Sequence, residues 1–72
     1  MTQEQKMEKL EEIMELDEGV LKVTDHLEDY DEWDSIAILS YIAMMDSDFG
    51  KVVKGEDVRK FVTVQDALDG ME

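Results

Sequence analysis

The stretch Trp33-Asp34-Ser35-Ile36-Ala37-Ile38-Leu39-Ser40-Tyr41-Ile42-Ala43-Met44-Met45-Asp46-Ser47-Asp48-Phe49-Gly50 decides the fold. Ile38, Ile42, Met45 and Phe49 recur at i, i+4, i+7 and i+11, which is one face of an α-helix. Either Asp34 or Ser35 can cap the start. Gly50 can close the end, because a left-handed residue after the last turn suits glycine. The pattern predicts a helix over 35–48. Ile36, Leu39 and Ala43 widen its apolar stripe, so burial on more than one side is expected.

Upstream, residues 17–33 follow neither helical nor strand period. They read as a long loop pinned to the core by Val20, Leu21, Val23 and Leu27. A loop of that length in a small domain is usually functional. Before it, Thr2 and Gln5 have capping-box spacing. Met7, Leu10, Ile13 and Met14 then recur at helical spacing, with Glu4, Glu8, Glu11, Glu12 and Glu15 on the other face. A first helix over 3–16 is expected, with Gly19 as its stop. Downstream, a short helix over 56–61 would bury Val58 and Phe61. Thr63 would cap a last helix, with Asp66 at its third position and Val64, Ala67, Leu68 and Met71 inward. The sum is an all-α, single-domain chain over 1–72: a small four-helix bundle with a long loop after helix 1 and a short helix 3.

Composition narrows the chemistry. Seventy-two residues make one domain, and so short a chain buries only about 60% of its unfolded surface. Cysteine is absent, so there is neither a disulfide framework nor a thiolate site. Seven Lys and Arg stand against twenty Asp and Glu, for a net charge of −13. That balance opposes binding to nucleic acid, whose phosphates need cations, and to anionic membrane surfaces. No apolar run reaches the ~20 residues of a membrane span. The opening Met1-Thr2-Gln3-Glu4 lacks the basic start of a signal peptide, so a soluble, cytoplasmic, monomeric protein is expected.

Charge is unevenly spread. Val23 to Gly50 contains no Lys or Arg but holds Asp25, Glu28, Asp29, Asp31, Glu32, Asp34, Asp46 and Asp48. Such a surface steers basic partners towards it. A calcium loop does not fit: from Asp46, position 5 is Gly50, position 6 is Lys51 and position 12 is Asp57. A start at Asp29 puts Trp33 at position 5. His26 is the single histidine, and no triad or zinc set can be built around it. No catalytic residue or metal site is expected. Ser35 sits at a helix start, where its plain reading is an N-cap serine; a hydroxyl there can also carry a phosphodiester, stabilised by free N–H groups and the helix dipole.

Asp34-Ser35-Ile36 resembles the Asp-Ser-Leu motif of acyl carrier proteins. From Asp34 to about Met71 the chain is similar to the bacterial members without a gap. The run Thr63-Val64-Gln65-Asp66-Ala67-Leu68 looks like the start of their last helix. The resemblance implies that Ser35 carries a 4′-phosphopantetheine arm, transferred from coenzyme A by a separate phosphopantetheinyl transferase. The arm would hold an acyl cargo as a thioester. Asp31, Glu32, Trp33, Asp34, Ile36, Asp46 and Asp48 would dock loading, synthase or transferase enzymes through their basic patches. Met45, Phe49, Val53, Val58 and Phe61 would line an acyl pocket. The chain departs from the pattern too. Asp31-Glu32-Trp33 replaces a common Leu-Gly, Ala37 and Ser40 replace docking acids, and Lys54 stands where proline is frequent. These departures point to a dedicated carrier for a specialised lipid, polyketide or saccharide-modification pathway. An aminoacyl or peptidyl carrier differs only in cargo. A different class, an unmodified acidic helical adaptor for basic partners, shares the same charge.

The excess of acids makes a prediction. Screening weakens self-repulsion, so the melting midpoint should rise between low and moderate salt, or with millimolar Mg²⁺. A flat or falling midpoint in a calorimetric salt series would refute it.

Overall fold

The computed structural model describes residues 2–71 and is all-α, with no strand among those residues. Its elements are α1 (Gln3–Ile13), α2 (Ser35–Phe49), α3 (Gly55–Val58) and α4 (Val64–Asp69). α1 packs on α2 and α4, and α2 packs on α3. A single 3-10 turn, Leu27–Asp29, interrupts the long connection between α1 and α2.

α1 begins as its sequence dictates. The Gln5 N–H donates to Thr2 Oγ1 at 3.2 Å, and the Thr2 N–H donates to Gln5 Oε1 at 3.0 Å. Its end corrects the expectation of a helix to residue 16 closed by Gly19. The last helical residue is Ile13, and Glu15 takes the left-handed conformation with φ of 56°. The Glu15 N–H then reaches Glu12 O at 3.1 Å, and the Leu16 N–H reaches Glu11 O at 2.8 Å. That pair of bonds is a Schellman closure built on a non-glycine residue. Gly19, also at positive φ, lies further along, inside the connection.

A second correction concerns Glu11. Spacing puts it on the solvent face, yet it is 3% exposed. Its Oε2 accepts the N–H of Gly19 at 2.9 Å and of Leu21 at 3.1 Å. The carboxylate thus satisfies two backbone donors that the folded-back loop would otherwise strand. Of the four expected loop anchors, Leu21 and Leu27 are buried and Val23 packs against the core, while Val20 is 43% exposed. The far end of the connection is tied to α4. The Leu27 N–H donates to Val62 O, the Val64 N–H to Asp25 O and the Gln65 N–H to Val23 O. Two of the free donors at the start of α4 are therefore paired with loop carbonyls. A third, the Asp66 N–H, bonds Thr63 Oγ1 in the expected capping box.

α2 matches its reading in position and in stripe. Ile38 and Met45 are buried, Ile42 and Phe49 pack on the core, and Gly50 closes the helix at φ of 65°. The widened stripe is corrected: Ile36 is 73% exposed, Leu39 is 66% exposed and Ala43 is exposed. The reason is supply. α3 is one turn and α4 is six residues, so these partners are too short to enclose the whole circumference of a fifteen-residue helix. α3 also falls short of its expected 56–61. It spans Gly55–Val58, with Val58 buried and Phe61 beyond the helix packed on the core.

Tyr41 joins the layers. It is fully buried and donates from its hydroxyl to the Ala67 carbonyl at 2.6 Å. Trp33 meets its ring edge-on at 6.3 Å and Phe61 does so at 5.5 Å, both geometries that aromatic quadrupoles favour. Gly70 is required by this crowding: a Cβ there would lie 2.6 Å from the Tyr41 hydroxyl and 3.2 Å from the Phe61 ring.

Two substitutions should therefore act in opposite directions. Glu15→Gly relieves the left-handed strain and should exceed Glu15→Ala in stability by about 1 kcal/mol, since both remove the charge. Gly70→Ala overpacks Tyr41 and should cost about 1–3 kcal/mol. Urea unfolding of the three variants reads both; equal midpoints for the two Glu15 variants would remove the strain account.

Candidate functional site

The start of α2 assigns its two polar residues different tasks. The Asp34 side chain takes the cap, accepting the Ala37 N–H at 3.0 Å, while the Asp34 carbonyl accepts the Ile38 N–H at 3.0 Å. Ser35 is the first helical residue. It is exposed, and its hydroxyl has no hydrogen-bond partner among the described residues. The N–H groups of Ser35 and Ile36 also find no acceptor there, as expected for the first turn. The site thus offers an unencumbered hydroxyl, two free donors and the positive end of a fifteen-residue helix. No base is hydrogen-bonded to Ser35 among the described residues, so this geometry holds the hydroxyl free without activating it as a nucleophile.

Helical spacing places Ser35, Leu39, Ile42 and Asp46 on one face of α2, at i, i+4, i+7 and i+11. That face runs past α3, where Ile42 Cδ1 lies 3.8 Å from the position a Cβ on Gly55 would take. The expected acyl-pocket residues gather on the core there. Met45 and Val58 are fully buried, and Phe49, Val53 and Phe61 pack against them. None of the five lines the surface grooves between α1 and α2.

Those grooves hold most of the expected docking acids. One, of about 380 Å³, is lined by Asp31, Glu32, Asp34 and Ile36, with Ala37 and Ser40. Its other wall comes from Ile13, Met14 and Glu15 at the end of α1. The second, of about 330 Å³, continues past Glu12, Ser40 and Met44 to Lys9 and Asp48. Asp48 is not a free docking acid, because Lys9 Nζ sits 2.7 Å from its Oδ2 in the one ion pair among the described residues. Asp46 is exposed on the Ser35 face, apart from the grooves. Trp33 is half-buried, with its ring edge-on to Tyr41, so it packs the connection onto α2. The α1 walls of the grooves were not legible beforehand. Ile13 read as core and Glu15 as solvated face, and only the early end of α1 turns them towards α2.

Asp25 and Tyr30 stiffen the connection before the site. The Tyr30 hydroxyl donates to Asp25 Oδ2 at 2.6 Å, and the Lys22 N–H donates to the same oxygen at 3.0 Å. Tyr30 first, then the Lys22 backbone, hold the Asp25 carboxyl below its ordinary 3.8. In return the Asp25 bond pushes Tyr30 up to about 12, helped by desolvation. Among the described residues no three His, Cys, Asp or Glu converge as a metal site, and no helix is long and apolar enough to cross a membrane.

No protein-family model matches the chain, nor does any curated protein or solved structure with which it was compared.

The Asp25–Tyr30 pair makes a pH prediction. Asp25 has its folded pKa lowered, so its contribution is present above about 3.8 and lost as pH falls through the lower folded value. Tyr30 has its folded pKa raised, so its contribution is present below 10.0 and lost as pH rises towards about 12. Tyr30→Phe should then destabilise the protein at about pH 7, and its gap from the parent should narrow as pH falls below 3.8 through the lowered folded value of Asp25. A urea-midpoint gap that stays constant as pH falls from neutral to well below 3.8 would sink the pairing.

Proposed function

We propose that this chain is a carrier protein of the acyl carrier type, with 4′-phosphopantetheine esterified to Ser35. The observation that carries the reading is the division of labour at α2. Asp34 caps the helix, so Ser35 has no structural task and presents a free hydroxyl at the first helical position. Its setting suits the group. A phosphodiester on Ser35 Oγ would lie beside the unpaired N–H groups of Ser35 and Ile36 and the positive end of the helix. Asp31, Glu32 and Asp34 oppose that charge, which favours an arm held out in solvent over one folded onto the acids. When bound, the arm supplies a thiol for thioester chemistry, and the chain supplies none of its own.

The arrangement of helices supports the same reading. α1, the long connection, α2, the single turn α3 and α4 follow the order expected of a carrier's four-helix bundle. The face that bears Ser35 continues through Leu39 and Ile42 towards Met45, Phe49, Val53, Val58 and Phe61. A cargo would reach the core by displacing these side chains, and Met45 is the most adaptable of them. Partner enzymes with basic patches would meet Asp31, Glu32, Asp34, Ile36 and Asp46. The departures around Trp33, Ala37, Ser40 and Lys54 favour a specialised lipid, polyketide or saccharide-modification role in the cytoplasm, by a monomer.

Intact mass is the test. Incubation with coenzyme A, Mg²⁺ and a broad-specificity phosphopantetheinyl transferase should add one phosphopantetheine to the parent and none to Ser35→Ala. An unmodified parent that is folded by circular dichroism, beside a known carrier modified in the same tube, would overturn the carrier reading. It would leave an acidic adaptor whose exposed Ile36 and Leu39 meet basic partners directly.

A further inference from the structure

The cations of this chain are sorted away from its acids. Lys51, Lys54, Arg59 and Lys60 fall within ten residues, while the other sixty-two residues hold three cations against eighteen acids. All four are exposed, and none forms an ion pair among the described residues. The first two flank Val52 and Val53 in the connection between α2 and α3. Val53 packs on the core, whereas Val52 is 90% exposed. Exposure that alternates over Val52, Val53 and Lys54 is the pattern of a strand with one face on the core. Lys54 has extended backbone, with φ of −98° and ψ of 145°. The Lys51 N–H closes α2 on the Met45 carbonyl at 3.0 Å. Beyond it, the N–H groups of Val52, Val53 and Lys54 and the carbonyls of Lys51, Val52 and Val53 have no partner among the described residues. Unpaired main chain, two β-branched residues and an apolar side chain in solvent together make an open strand edge.

We infer that residues 51–54 are an edge to which an extended, acidic segment of a partner protein adds as a strand. Main-chain bonds to alternate residues would supply the pairing, an apolar side chain of the segment would cover Val52, and its acids would meet Lys51 and Lys54. Arg59 and Lys60 follow α3 and strengthen the attraction, while Glu56 and Asp57 on α3 oppose it and confine the charge match to 51–54. Main chain and charge together select this occupant. A nucleic acid or an anionic membrane offers charge of the right sign but no alternating N–H and C=O groups to pair with the edge. It would also extend beyond the patch onto the acids of the remaining surface. A second copy of this chain, paired edge to edge, would set Lys against Lys and bring together two net charges of −13. The edge does not use the Ser35 hydroxyl and is complete in the unmodified chain, so its test and the mass test fail separately.

The probe is a cyclic, fluorescein-labelled hairpin peptide whose open edge reads Glu-Val-Glu-Val-Glu, titrated with unmodified full-length protein at low salt. Pre-forming the strand lowers the ordering cost of binding. Saturable one-to-one binding is expected in fluorescence polarisation, with backbone amide shifts centred on residues 51–54. Lys51→Gln combined with Lys54→Gln should weaken it by about tenfold. Lys6→Gln combined with Lys22→Gln changes the net charge equally, away from the edge, and should alter it by no more than about twofold. The same peptide methylated at its open-edge nitrogens keeps its charge, loses its main-chain donors and should bind about tenfold more weakly. The inference is overturned by equal losses in the two double variants, by equal binding of the methylated peptide, or by no saturable binding up to about 1 mM. Concentration-dependent self-association of the protein with amide shifts at 51–54 would also overturn it and assign the edge to a second copy.

Discussion

The hydrogen bond from the Tyr41 hydroxyl to the Ala67 carbonyl is the contact on which this small fold depends. The last four carbonyls of any helix lack partners within it, and α4 has only six residues. Tyr41 supplies a donor to one of these carbonyls from the buried face of α2. It thereby ties the longest helix to the short one across the core. Burial pushes the hydroxyl up to about 12, so it remains a donor throughout the ordinary pH range. The same ring is where the connection before α2 arrives, through Trp33, and where the segment after α3 leaves, through Phe61. Gly70 is small because that junction has no room for a methyl group.

The other constraint is charge. Thirteen excess negatives on a core this thin leave little attraction to spare, and ion pairing contributes little: Lys9 to Asp48 is the one pair among the described residues. The acids instead act through backbone donors. Glu11 takes two loop N–H groups, Asp34 takes one at α2, Asp25 takes one at Lys22, and Asp66 takes those of Val62 and Thr63. A carboxylate that accepts N–H bonds is worth more than one in an exposed ion pair, because the donors it satisfies are obligatory. The acidic composition is therefore part of how the irregular segments are held, as well as the source of the field around α2.

How much of this was legible in the sequence depended on whether the cause was local. Capping boxes and periodic stripes are local, so Thr2 with Gln5, Thr63 with Asp66, and Ile38-Ile42-Met45-Phe49 read directly. Gly50 did too. Glu11 and Tyr41 were not legible, because each is fixed by a segment distant in the chain: the returning loop and α4. Glu15 hid for a different reason. Glycine is the ordinary signal for a left-handed stop, and Gly19 offered a false one nearby. Ile36 and Leu39 misled in turn because apolar spacing predicts which face is sticky, not whether enough neighbouring chain exists to cover it. Ser35 at a helix start read alone as no more than a cap, and became a candidate only through the resemblance of Asp34-Ser35-Ile36 to a known motif. The fact that it is free required coordinates, since Asp34 and Ser35 are both competent caps.

That last ambiguity bears on function more than any other. A serine that caps a helix has its oxygen engaged with a backbone N–H, and substituting or modifying it removes a structural bond. A serine one position later has no such bond to lose, so a bulky group can be added without unfolding the first turn. Placing the aspartate first also fixes the sides of the helix. Ser35 then shares a face with Leu39 and Ile42 towards α3, while Ile36, Ala37 and Ser40 turn towards α1. α2 therefore presents a free hydroxyl on one side and an acid-lined groove on the other. Shifting the cap by one residue would rotate the serine by about 100° relative to the first turn. The order Asp-Ser, rather than either residue alone, is what sets the side of the helix on which that hydroxyl stands.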